Sequence, residues 1–242
     1  SAEVGLMRAA ADRAQRLLVE AAWNRWHPRS RRLETLVTSI EGPREVRAWF
    51  TFPGVPADNY RLDPARGGGA LLDVGCYTVA AALVALGADP ALDSPGGADP
   101  APDDPGGADP APVQVRSVER HLGPTGVDLT TGAVLAHANG SASVTASFER
   151  PESQGLTIDA PGLSIALGGQ AFTSWREPSV LRVVADGRAS QEQFAACDPY
   201  QLMLEAVSAR IRGEEAWVLP LSTSAAVAAT LDAIAGTPTN GQ

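Results

Sequence analysis

The sequence predicts an α+β fold: a large, mainly antiparallel open sheet with helices on one face. Three observations carry this. Helical periodicity with Ala-rich intervals occupies both ends of the chain, and an uncharged apolar run covers 74–88. Between 113 and 185, short alternating segments are separated by hairpin dipeptides such as Asn139-Gly140, Pro161-Gly162 and Asp186-Gly187. Hairpin strands flanked by helices segregate into a sheet with one covered face.

Taken in order, Val4, Met7, Ala11, Ala14 and Leu17 recur at helical spacing and predict a helix over 3–16. Residues 17–23 read as a short strand, whose unpaired backbone would seek another chain. Pro28, suited to a first helical position, opens a second helix through Arg32, Leu33, Leu36 and Val37. A strand is expected over 45–52, then an irregular stretch over 53–69 that ends in Gly67-Gly68-Gly69. A buried helix over 74–86 follows, with Val79, Leu83 and Leu86 inward and Asp73 as its N-cap. Residues 87–112 form a decapeptide repeat with six Asp and no basic residue, expected to be a disordered surface loop. Further strands are expected at 113–120, 131–137, 141–148, 156–159, 164–167, 171–175 and 180–185. Two helices close the chain, 198–212 with Leu202, Ala206, Ala209 and Ile211 inward, and 222–234.

The 242 residues carry nineteen Arg and no Lys, and a net charge of −9. An acidic chain without lysine makes a poor polyanion binder, so no nucleic-acid partner is expected, and Arg29, Arg31 and Arg32 read as a solvated helix face. The longest uncharged apolar run is 15 residues, short of a bilayer span, so no membrane segment is expected. Cys76 and Cys197 read as free thiols in a reducing cytoplasm. The three histidines have no metal-ligand spacing, so no metal is expected; no nucleophile elbow, P-loop or Gly-x-Gly-x-x-Gly occurs. The first residue is Ser, so this is not expected to be the natural translation start.

Two clusters can carry chemistry. In Gly67-Gly-Gly-Ala-Leu-Leu-Asp73-Val-Gly-Cys-Tyr77 a glycine loop enters a helix, and the four-residue spacing stacks Asp73 and Tyr77 on its first turn. The helix dipole would favour a phenolate there, suiting Tyr77 to proton transfer; equally, Asp73 is a cap and Tyr77 packs. In Glu20-Ala-Ala-Trp23-Asn-Arg25-Trp-His-Pro28, Trp23 and Arg25 suit a flat ring and an anion, or else an aromatic core with a salt bridge to Glu20.

Together these two motifs resemble the glucose-fructose oxidoreductase / inositol dehydrogenase / MocA (Gfo/Idh/MocA) oxidoreductase family, in particular its dihydrodiol dehydrogenase and NADP-dependent xylose dehydrogenase branch. The resemblance implies a Rossmann domain for NAD(P) followed by an α+β domain that binds a small-molecule substrate and forms a homodimer through its sheet. It makes Tyr77 the catalytic acid/base with Asp73 beside it, and Trp23, Arg25, Gly68 and Gly69 the lining of the substrate and cofactor pocket. Against the family pattern, 1–24 corresponds to a last Rossmann helix and strand and 25–242 to the C-terminal domain, with neither the glycine fingerprint nor the Glu-Lys-Pro lysine present. The chain is then expected to be the C-terminal part of an NAD(P)-dependent oxidoreductase of a sugar, polyol or dihydrodiol, with the cofactor bound mainly by a domain absent from it, and inactive alone. The alternative is a stand-alone binding or dimerisation module of the same fold.

Overall fold

A computed structural model describes residues 2–93, 113–174 and 176–239. Helix α1 (Ala2–Ala14) lies against the last helix, α5 (Leu221–Gly236), and buries none of its residues. Helix α2 (Pro28–Thr38) begins at the expected proline. Strand β1 (Arg44–Thr51) leads through two 3-10 turns to α3 (Cys76–Leu86). The remaining strands are β2 (Gln114–Leu122), β3 (Asp128–His137), β4 (Gly140–Ser147), β5 (Ser153–Ala160), β6 (Leu163–Leu167), β7 (Ser179–Ala185) and β8 (Arg188–Phe194), before α4 (Pro199–Ile211).

The eight strands form one sheet in the order β2-β3-β4-β1-β5-β6-β7-β8. Only β1 and β4 run parallel, because β1 is threaded between two strands that come much later in the chain. Along β1, Val46, Ala48 and Phe50 face the helices while Glu45, Arg47 and Trp49 face the other way. That alternation buries one side of the sheet and leaves the second open. Helix α3 carries no charge and sits over β1 and β4, and its Val79, Leu83 and Leu86 join Val46, Val144 and Leu135 in the core. The helical stretch Pro64–Leu86 is long and apolar enough to cross a bilayer by length and composition, unlike the 15-residue run, yet most of its apolar window is buried inside the domain.

Several expectations are corrected. Residues 17–23 form no strand: the chain runs irregularly into a 3-10 turn, Trp23–Trp26. A single segment with no ladder partner leaves its backbone groups unpaired, and apolar side chains alone do not make it a strand. Residues 171–174 turn rather than form a strand; Arg29 Nη2 donates to the carbonyls of Gln170 and Ala171, both 2.9 Å, and Phe172 N–H donates to Gln154 Oε1 at 3.1 Å. Side chains have taken the bonds a ladder would use. Strand β8 was not expected, because Arg188–Phe194 lacks an apolar alternation, but the Asp186-Gly187 turn before it has φ of +49° and +75°, as a two-residue hairpin requires.

Arg29, Arg31 and Arg32 are not a solvated face. Arg29 is buried, Arg31 lies over the Trp217 ring and pairs with Glu34, and Arg32 grips Glu192 on β8. On α4, Pro199 and Met203 are buried and Leu202 and Ala206 pack against the same cluster as expected, whereas Ile211, expected inward, is 70% exposed. Most of the decapeptide repeat lies outside the described residues. Its first seven residues are ordered: Gly87, at φ +69°, closes α3, and Asp89, 2% exposed, accepts from Ala91 N–H in the next turn.

His27 caps α2, its Nδ1 accepting from Arg29 N–H at 3.0 Å. Burial, together with the Arg29 charge, pushes its pKa down from 6.5 to about 4. The folded state therefore holds a neutral ring that the unfolded chain would protonate more readily. Stability is expected in full above pH 6.5 and to be lost as pH falls towards 4, by about 3 kcal/mol. Urea midpoints at pH 7 and pH 4.5 for the parent and for His27→Asn, which keeps a capping oxygen, measure this; equal slopes in both would refute it.

Candidate active site

The triglycine is shaped by its own chain. A Cβ on Gly68 would meet the carbonyl oxygens of Arg61 and Asp63 at 2.6 and 2.8 Å, and Gly69, at φ +121°, lies against the Asp128 carboxylate. Asp128 accepts from Leu71 N–H at 2.8 Å and from the Thr131 hydroxyl at 2.7 Å. The group that holds the start of this helical stretch thus comes from β3, not from Asp73. The first turn is a π-turn, Leu71–Gly75, ahead of α3, and Asp73 lies inside it. Its carboxylate accepts from Arg61 Nε at 2.7 Å and makes no hydrogen bond to Tyr77 among the described residues. Asp73 therefore braces the 53–69 stretch, and the expected cap and stacked Asp73-Tyr77 pair do not form.

Tyr77 enters an aromatic cluster. Its ring centroid lies 5.6 Å from Phe50, 6.3 Å from Phe172 and 6.4 Å edge-on from Trp23. Trp23 Nε1–H donates to Tyr77 Oη at 3.2 Å, and the indole stacks on Tyr200 at 4.6 Å. Burial pushes the Tyr77 phenol up to about 12, against a smaller lowering by the indole hydrogen bond. Desolvation thus outweighs any help from the helix dipole, reversing the sequence expectation. The neighbouring Cys76 thiol is also pushed up to about 12, mainly by burial, so it is protonated and unreactive near neutrality.

Tyr77 opens onto a cleft of about 300 Å³ that Cys76, Asn24, Arg25 and Glu20 also line, with Leu219 and Val227 as apolar walls. Arg25 reaches the cleft with its charge already satisfied. Its Nε donates to Glu34 at 2.9 Å and its Nη1 pairs with Asp89 at 2.8 Å, the three side chains being buried together. Thr223 of α5 donates its hydroxyl to Asp89 at 2.7 Å. The structure thus brings Trp23, Arg25 and Tyr77 together, whereas Asp73, Gly68 and Gly69 do not line this cleft and contact Arg61, Asp63 and Asp128 instead. Phe50, Phe172, Tyr200, Arg61, Asp89 and Asp128 were not singled out from the sequence, since their roles depend on contacts across strands and helices. For a nicotinamide cofactor the fit is one-ended: the aromatic and apolar cleft suits a flat ring, but the triglycine is filled by the chain's own carbonyls and offers no pyrophosphate cradle.

Residues 39–163 match the GFO/IDH/MocA C-terminal domain. D-xylose 1-dehydrogenase (NADP(+)) 2 of Haloferax volcanii is 28% identical over 221 residues, which is 90% of this chain and 61% of that protein. Among solved structures, KijD10, a 3-ketoreductase from Actinomadura kijaniata in complex with NADP and TDP-benzene, superposes with a TM-score of 0.76 at 23% identity, over 96% of this chain and 66% of its own. The aldose-aldose oxidoreductase of Caulobacter crescentus complexed with glycerol superposes at 0.73 with 17% identity, over 97% and 66%. The chain spans just under two thirds of the length of these relatives. With the family match running from the end of α2 to the start of β6 and the same fold recurring around it, the chain belongs to the GFO/IDH/MocA family, whose C-terminal domain its residues 39–163 match.

Proposed function

We propose that this chain is the substrate-binding and proton-transferring part of an NAD(P)-dependent oxidoreductase acting on a hydroxyl or carbonyl of a sugar, polyol or dihydrodiol. The observation that carries it is a protonated phenol, Tyr77, held at the wall of a cleft by the Trp23 indole. The names of the Haloferax relative, a D-xylose dehydrogenase using NADP, and of KijD10, solved with NADP, support that substrate class and cofactor.

A bound nicotinamide would supply or accept hydride. This chain's part is the other hydrogen. Tyr77 Oη donates its proton to the substrate oxygen as a carbonyl is reduced, and takes it back from a hydroxyl in the reverse sense. Trp23 N–H fixes the direction of the phenol oxygen, and Leu219 and Val227 keep water from one side of the cleft. Because burial keeps the phenol protonated, this part is built as a proton donor. Use as a base calls for a cation near Oη, and Arg25 is taken by Glu34 and Asp89. We assign that cation and the pyrophosphate cradle to a dinucleotide-binding domain of which residues 1–24 would be the last part, the remainder lying outside these 242 residues.

The open sheet face, with Trp49, Val134 and Val184 among small Ser and Thr residues, is the proposed homodimer surface. Free Cys76 and Cys197 suit a cytoplasmic setting. The test is NAD(P)H turnover with aldoses, polyols and dihydrodiols, by the 242 residues alone and joined to such a domain. Turnover is expected only from the joined protein; turnover by the 242 residues alone, or by neither, sinks the proposal, and the latter outcome favours a stand-alone binding module.

A further inference from the structure

Away from Tyr77, the connection from β6 to β7 leaves a cleft of about 350 Å³ beyond the short end of β6. Its lining is rich in donors. Arg29 is 3% exposed, and Ser174 and Ser179 are 5% and 6% exposed, so all three are more than nine tenths buried. Arg29 spends Nη2 on the carbonyls of Gln170 and Ala171, but its Nε is buried with no hydrogen-bond partner, and so is the Ser179 hydroxyl. Among the described residues Arg29 forms no ion pair, unlike Arg25, Arg31 and Arg32 beside it. Burial alone lowers its pKa, to about 10, with no carboxylate countering it.

A second guanidinium, on Arg182 of β7, lines the same cleft, its Nη1 3.6 Å from where a Cβ on Gly168 would lie. Glu177 is the one acid in the lining, and it is exposed at the rim. A buried guanidinium without a counterion is a costly arrangement, and a buried hydroxyl without a partner adds to it. Both costs fall if an oxygen-rich anion occupies the cleft, since arginine and hydroxyl donors match the lone pairs of a carboxylate or phosphate.

We propose that this cleft is a binding site for the oxyanion group of a small molecule, phosphate or carboxylate, held by the guanidinium groups of Arg29 and Arg182 and the hydroxyls of Ser174 and Ser179. The proposal does not depend on the role of Tyr77. The guanidinium that meets the anion also holds the carbonyls just before Phe172, whose ring lies beside Tyr77, so the site adjoins the back of the candidate active site.

The test is a titration of the 242-residue chain with sodium phosphate, and separately with sodium acetate, against sodium chloride at matched ionic strength, read by amide NMR. Saturable shifts centred on Gly168, Gly169 and Ser179 are expected with at least one of the two anions. A response to phosphate alone identifies a phosphate site, and a response to acetate identifies a carboxylate site. Arg182→Gln and Ser179→Ala, with Arg29 left in place to hold the loop, are each expected to weaken binding at least tenfold. No saturable shift beyond that of chloride, or shifts undiminished in both variants, overturns the proposal.

Discussion

Replacing Arg25 by methionine is expected to cost the fold about 3–5 kcal/mol. The guanidinium lies between Glu34 of α2 and Asp89 of the segment after α3, and Thr223 ties the same carboxylate to α5. Methionine fills much of the volume but leaves Asp89, 2% exposed, with a hydroxyl and one backbone N–H and only the weaker, longer-range charge of Arg31. Glu34 fares better because Arg31 also reaches it. Urea denaturation of the parent and of Arg25→Met measures the loss, and pairing the change with Asp89→Asn is expected to restore part of it, since the stranded charge is then removed. A loss below about 1 kcal/mol, or no recovery in the double variant, would show that the network is not what holds these elements together.

Tyr77→Phe is expected to lower turnover of the joined enzyme by a factor of about 10²–10⁴ while leaving the chain folded. The phenyl ring keeps its contacts with Phe50 and Phe172, and only Trp23 N–H loses its acceptor. The pH dependence has a definite sign. With the phenol pushed up to about 12, carbonyl reduction should vary little across neutral pH, because the donor stays protonated. Alcohol oxidation should accelerate as pH rises and more phenolate forms, unless a neighbouring cation lowers the phenol's pKa. Rates in both directions at several pH values test this. A Tyr77→Phe enzyme of parental activity assigns the proton to another group.

Much of the architecture was legible because it rests on local rules. Pro28 at a first helical position, the uncharged run that became α3, and the Asp186-Gly187 turn each carry their structural meaning in a few neighbouring residues. The failures share a cause. Residues 17–23 are a short apolar segment like a strand but find no ladder, while β8 pairs fully with β7 though it is mostly polar. Strand formation is settled by the partner's backbone as much as by the segment's own side chains.

The candidate site divides the same way. Tyr77 and Trp23, singled out from motifs 54 residues apart, do meet. Asp73, also singled out, turned instead to Arg61, because the π-turn and the long-range bond from Asp128 replaced the helix start that local spacing implied.

By itself the sequence determined which residue types were available: no lysine, no dinucleotide fingerprint, one Tyr beside a glycine loop, and enough apolar periodicity for a covered sheet. Only the tertiary structure decided which charges are spent within the chain. It buried Arg25 between two carboxylates and left the equally buried Arg29 with none among the described residues. The physical reason is that a charge's energy depends on its distance to other charges and to water, and those distances are set by chain segments far apart in sequence.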